Sequence, residues 1–282
     1  MYRSARSIMA VFVLAAAAGS AAAQSRPFDL SVQAFGPTSP ALRGLGEYST
    51  GFETAEGFTV GPVAGQNGWT ASVNANQTAF SVSTANPFSG SQHLRVGFDD
   101  AVPMGNTRVI LGPNLGSIGE GQTVTSVMVN ISSDQGSNYE VIGQAPSQEL
   151  VAWRVVFNWN GGISGTPGEI FILDDPDGDG PGGLAFVDTG VVWNAGVYTE
   201  LRVETDSLAN TINYYYGGNL IYSSVAGMFA ATSVEQFVIL TDNYQNPGEV
   251  ADFDNIVIAV PAPGSLALLG LGLAVGARRR RA

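Results

Sequence analysis

Between two strand-like runs the chain reads Leu173-Asp174-Asp175-Pro176-Asp177-Gly178-Asp179-Gly180, its densest group of chemically capable side chains. Asp175, Asp177 and Asp179 alternate and Gly180 follows, the first half of a D-x-D-x-D-G loop. In such a loop hard carboxylate oxygens surround calcium and the glycine permits the sharp turn. Asp174 adds a fourth carboxylate, and four so close together repel one another unless a cation intervenes. The twelfth position from Asp175, which closes a helix-loop-helix calcium site with Glu, is Phe186. Two readings follow: a calcium-binding loop between strands, or a solvated acidic turn.

His93 is the only histidine, so any Ser-His-Asp triad must use it. It lies in the run His93-Leu94-Arg95-Val96, where it reads as a pairing or surface residue. Flat aromatic faces suit the apolar faces of sugar rings, and Trp69, Trp153, Trp159, Trp193 and Tyr214 to Tyr216 offer them, although most belong in a core. Trp153 and Trp159 lie six apart, on one face of a regular strand. Trp159 with Asn160, at a strand end before two glycines, and Trp69 are the candidate glycan contacts.

The chain has 12 Lys+Arg, all of them arginine, against 24 Asp+Glu. Without Arg3, Arg6, Arg278, Arg279, Arg280 and Arg281, all in the end segments, six basic residues face 24 acidic ones, a charge of −18. Such a body repels nucleic-acid phosphates and attracts cations, so no nucleic-acid partner is expected. The absence of cysteine excludes a lipoprotein anchor, a disulfide framework and a thiolate metal site. With 36 glycines and 13% charged residues among 282, the composition suits one large, turn-rich β domain.

Both ends read as addresses. Arg3 and Arg6, the apolar run Ile8 to Ala18, and Ala21-Ala22-Ala23 form a secretory signal (residues 1–23) whose Ala21 and Ala23 place cleavage before Gln24. The other end (260–282) has a breaker, Pro261-Ala262-Pro263, the apolar run Leu266 to Ala277, and then Arg278 to Arg281. As a helix that run reaches ~18 Å against a hydrocarbon core of ~30 Å, or ~27 Å counted from Val260, and it enters a bilayer with its arginines on the cytoplasmic side. This tail resembles the PEP-CTERM sorting signal, departing from it at Ala262 where the motif has Glu. The resemblance implies an exosortase-type processing enzyme as partner, a tail that is cut off and so meets the membrane only transiently, and a secreted protein of the cell envelope surface or extracellular matrix.

Between the ends, residues 24–50 read as an extended lead-in with an edge strand around Phe28 to Phe35. From Gly51 short β-rich runs are bounded by Gly, Asn, Asp and Pro. The clearest are 80–83, 93–96, 107–111, 124–132, 152–159, 169–173, 198–205, 211–216, 220–222, 234–241 and 251–259, with a hairpin turn at Tyr216-Gly217-Gly218-Asn219. Only Val225 to Ala231 suggests a helix. Phe52-Glu53, Gly65 to Trp69, Gly90 to Val96, Trp193 to Val203, Thr211 to Tyr214 and Asp252 to Ile258 follow the order seen in concanavalin A-like (LamG-type) domains, which residues 51–259 resemble. That resemblance implies an all-β, antiparallel two-sheet jelly-roll sandwich, flanked here by a signal helix and a sorting helix. It also implies that Glu53 and Asp254 share a structural calcium, in place of the blander reading as exposed acids beside core Phe52 and Phe253.

Jelly-roll glucanases carry three carboxylates on one strand as E-x-D-x-(x)-E, all on one face. No such triplet occurs: Glu169 and Asp174 have the wrong spacing, and Asp252-Phe253-Asp254 lacks a third acid. The sequence therefore suggests a non-catalytic protein that binds extracellular polysaccharide or adheres to it, with calcium as a structural ion. The alternatives are a divergent polysaccharide-active enzyme and a coat component without a specific ligand.

Overall fold

The computed structural model describes residues 47–71, 79–116, 121–133, 136–158, 168–176, 184–224, 234–243 and 249–260. They form two sheets. The first contains β1 (Tyr48–Thr50), β2 (Gly61–Pro62), β4 (Phe80–Ser83), β5 (His93–Gly97), β7 (Gln122–Ile131), β12 (Thr199–Asp206), β13 (Thr211–Tyr216), β14 (Asn219–Ser224) and β16 (Val250–Ala259). The second contains β3 (Thr70–Ala71), β6 (Arg108–Leu111), β8 (Tyr139–Ala145), β9 (Leu150–Phe157), β10 (Glu169–Asp174), β11 (Ala185–Val192) and β15 (Gln236–Thr241). Spatial order is β14-β13-β12-β7-β16-β5-β4-β2, with β1 also on β16, and β11-β10-β9-β8-β15-β6-β3. Every pairing is antiparallel, and the chain crosses repeatedly from one sheet to the other, the jelly-roll arrangement.

Period-two patterning sets the first sheet. In β12 Leu201, Val203 and Thr205 are buried while Arg202, Glu204 and Asp206 stay partly exposed; in β13 Ile212, Tyr214 and Tyr216 are buried. The β13–β14 turn uses Gly217 (φ 57°) and Gly218 (φ 78°), two left-handed residues that match the twist of a two-residue hairpin. The interior between the sheets is filled by Phe52, Trp69, Phe80, Leu94, Val129, Tyr139, Trp153, Phe157, Tyr214 and Phe253, among others. Trp153 lies over Gly143, where a Cβ would come within 2.4 Å of the indole.

The central strands of the second sheet, β6, β8, β9, β10 and β15, are buried on both faces, whereas the edge strand β11 is half-exposed. Away from the interior, Leu111, Val238 and Ile142 stand in register on neighbouring strands and cluster with Val109, Val151 and Leu240. Beside them the Arg154 guanidinium pairs with Glu140, and the Gln144 amide donates to Gln236 at 2.7 Å. This explains why β9, Leu-Val-Ala-Trp-Arg-Val-Val-Phe, does not alternate.

The sandwich begins at Tyr48, so the lead-in's last three residues belong to it as β1. Two full strands, β8 and β11, were not expected from the sequence. The signal helix, the edge strand at 28–35, the helix at 225–231 and the sorting helix lie outside the described residues.

Candidate functional site

The site is organised by a break in β16. This strand pairs with β5 through Phe253 and with β1 from Ile256, and its register on β7 slips between Asp254 and Val257. Asn255, at φ 47°, takes the left-handed residue of this bulge, a conformation asparagine tolerates. The β4–β5 loop packs against the break and is gripped by three carboxylates.

Asp254, fully buried, accepts the backbone N–H groups of Phe88 (2.9 Å) and Ser89 (3.0 Å) on one oxygen and that of Asn255 (2.7 Å) on the other. Glu53 accepts the N–H groups of Ser91 (2.7 Å) and Gln92 (3.0 Å) and the Ser91 hydroxyl (2.8 Å). It can do so because Phe52 adopts φ 61°, which sends the Phe52 ring into the core against Phe58 and Trp69 and turns the next residue to the loop. Gly90, at φ 62°, lies so close that a Cβ would sit 2.1 Å from the Glu53 carboxylate. Asp252 holds Arg95 by a two-point contact (Nε 2.7 Å, Nη2 3.0 Å) and also meets His93 Nε2 at 2.9 Å and the Asn86 amide at 3.1 Å.

These surroundings act on the acids in opposite directions. Burial pushes Asp252 upward, but donors from His93, Arg95 and Asn86 outweigh it and hold the carboxyl below its ordinary value. For Asp254 burial wins over the amide donors and raises the carboxyl. Glu53 feels some desolvation, which the donors from Gln92 and Ser91 overcome, lowering it.

On this clamped loop stands an aromatic platform. Phe88 is 47% exposed, and its ring lies 5.4 Å from that of Tyr198, tilted by 56°. The Tyr198 hydroxyl donates to the Asn86 carbonyl at 2.6 Å, and Val197 beside it is 50% exposed. Burial first, then the charges of Asp252 and Asp254, drive the Tyr198 hydroxyl upward, so it stays a proton donor. Arg95, with a quarter of its side chain exposed (26%), borders the platform. Ring faces of this kind stack on the apolar faces of sugars, and the loop that carries Phe88 is held by side-chain carboxylates of the protein itself.

The structure brings Glu53 and Asp254 together: a point one Cβ out from Gly51 lies 3.8 Å from Glu53 Cγ and 3.5 Å from Asp254 Oδ1. Both carboxylates are occupied by loop donors, and among the described residues no group of three or more acids, histidines or cysteines could hold a metal. Asp174, at the end of β10, is buried and accepts the Tyr222 hydroxyl (2.7 Å) and the Ser224 hydroxyl (2.8 Å), and Asp175 beside it is 3% exposed. Trp69 requires a correction as a glycan contact: it is fully buried, and its indole N–H donates to the Tyr48 hydroxyl at 3.1 Å. Asp177, Asp179, Trp159, Asn160, Ala21, Ala23, Pro261, Ala262, Pro263 and Arg278 to Arg281 lie outside the described residues. Phe88, Tyr198, Arg95 and Asn86 were missed; the one available signal was an aromatic in the turn Asn86-Pro87-Phe88-Ser89-Gly90.

Residues 259–281 match the PEP-CTERM protein-sorting motif, which marks the chain for secretion and sorting to the envelope surface or extracellular space. No curated protein matches the sequence. Among solved structures the fold is similar to a sialidase, with TM-score 0.47 and 8% identity over 70% of this chain and 17% of that one. It is similar to an endo-β-1,4-glucuronan lyase from the fungus Trichoderma reesei, with TM-score 0.44 and 11% identity over 76% and 94% of the two chains. It is similar also to the carbohydrate-binding module CBM66 from Bacillus subtilis, with TM-score 0.39 and 10% identity over 69% and 96%.

Proposed function

We propose that this protein is a non-catalytic glycan-binding or adhesive component of the cell surface or extracellular matrix, released to its place by an exosortase-type enzyme. The observation that carries the reading is the exposed Phe88 ring, packed against the partly buried Tyr198 and set on a loop held by Glu53, Asp252 and Asp254. Large exposed rings cost solvation, and three acids committed to fixing one loop make sense where that loop must present a surface of defined shape. The non-catalytic part rests on the chain's sole histidine, which is fully buried and bonded to Asp252, and on the missing carboxylate triplet. Calcium belongs to the reading as a structural ion of the loop after β10, with Asp175, Asp177 and Asp179 as its oxygen donors.

Retention of the secreted protein on immobilised polysaccharides, run beside Phe88→Ala and Tyr198→Phe, tests this. Loss of Phe88 should abolish retention and leave the melting temperature nearly unchanged, because the ring is half-exposed; Tyr198→Phe, which keeps the ring, should retain most of it. Full retention by Phe88→Ala would sink the assignment. Release of reducing sugar by the purified protein would move it to the enzyme class.

A further inference from the structure

The sequence contains no lysine, so every positive side chain is an arginine. Among the described residues Arg108 and Arg154 are 1% exposed and reach no ligand. Arg202 stacks on the Tyr215 ring and lies 3.5 Å from the Glu204 carboxylate. Arg95 alone borders the aromatic platform, and its charge is matched by the two contacts to Asp252. Glu53 and Asp254 have no arginine partner among these contacts and meet only neutral N–H and hydroxyl donors.

The loop beneath Phe88 and Tyr198 is therefore held by two carboxylates, Glu53 and Asp254, without a cationic partner among these contacts, in a body whose 24 acids outnumber its bases. A uronate or sulfate on a sugar chain would enter a repulsive field and, among the described residues, find no free guanidinium to take it. An ammonium group meets the reverse. It is drawn in by the same field, and the Phe88 and Tyr198 rings offer the negative faces over which such cations sit. Building on the glycan-binding reading, we propose that the Phe88–Tyr198 platform recognises an amine-bearing polysaccharide, a polymer of hexosamines with free amino groups, and rejects polyuronates.

Glucosamine hexamer and its fully N-acetylated counterpart share a backbone and differ in charge, so they isolate this step. The secreted protein should bind the free-amine hexamer about tenfold more tightly at about 20 mM salt, with the difference shrinking to about twofold at 300 mM. Phe88→Ala should remove most of the affinity for both, and oligo-alginate should not bind at either salt. Equal or tighter binding of the acetylated hexamer, or salt-sensitive binding of alginate, overturns the amine preference and leaves the glycan site standing. Undiminished binding of the amine hexamer by Phe88→Ala overturns the proposal in favour of diffuse attraction to the acidic surface. Failure of all three probes to bind, with no retention on any immobilised polysaccharide, overturns the glycan reading and the amine preference together.

Discussion

Glu249, the residue before β16, makes stability depend on pH in a way a single substitution can remove. Its carboxylate is buried against Gly136, where a Cβ would overlap it, and one oxygen accepts the Ser137 N–H at 3.0 Å. The other oxygen has no hydrogen-bond partner. Burial first, with the neighbouring charge of Asp242 adding to it, pushes the Glu249 carboxyl up to about 8 from 4.5, against the Ser137 and Tyr139 donors. The folded state then holds a proton that the unfolded state has released, throughout the interval between those two values. Where the folded state binds more protons, stability falls as pH rises, so the contribution is full below about 4.5 and lost by about 8. At about 1.4 kcal/mol for each pH unit the ceiling is nearly 5 kcal/mol; solvent screening and relaxation at a site near the surface reduce this to about 2. Glu249→Gln keeps the shape and the acceptor for Ser137 and removes the charge. In chemical denaturation it should match the parent within about 0.5 kcal/mol at pH 5 and exceed it by about 2 kcal/mol at pH 8.5. Parallel pH profiles for the two proteins would refute the reasoning, because every titrating group not coupled to Glu249 cancels in the difference between them.

Three other outcomes are expected. Gly143→Ala forces a Cβ to within 2.4 Å of the buried Trp153 ring and should cost about 1–3 kcal/mol, seen as a lower melting temperature; an unchanged midpoint would mean the indole moves freely. If Asp175, Asp177 and Asp179 hold calcium, a hundredfold excess over Kd adds about 2.7 kcal/mol, and chelation reverses the rise in melting temperature. An Asp177→Ala, Asp179→Ala variant that keeps the full response would place the ion elsewhere, with Glu53 and Asp254 next. Intact-mass measurement on protein from the native host should show a chain beginning near Gln24 and lacking Arg278 to Arg281; a retained arginine block would contradict processing at the sorting motif.

The sheets were legible where one face of a strand meets the core and the other meets water. β12 and β13 alternate, and the Gly217-Gly218 turn between β13 and β14 declares itself by residue type. β8 hid because Tyr139 to Ala145 is buried on both faces, so Glu140 and Gln144 stand where a half-exposed strand would also have polar residues. Their partners, Arg154 and Gln236, come from other strands, and no local pattern reveals a long-range pairing. β11 hid for a different reason: its Gly190 and Asp188 read as a turn, although the strand runs through them at the sheet edge.

The site was legible in its supports and not in its surface. Glu53 and Asp254 are singled out by the resemblance to concanavalin A-like domains, which pairs them as calcium ligands, and in the structure both grip the same loop. Phe88 and Tyr198 are 110 positions apart, and each looks ordinary in its own context. They meet because β12 lies one strand beyond β7 from β16, which brings the residue before β12 over the loop that the β16 bulge admits. That bulge is set by a left-handed Asn255, a residue type common in any turn, so the sequence marks a permissive position without marking what it permits. Trp69 misled for the complementary reason. An indole is the largest apolar side chain available, and in a chain with no disulfide to staple it the core takes Trp69 and Trp153 first, leaving the smaller Phe88 and Tyr198 at the surface.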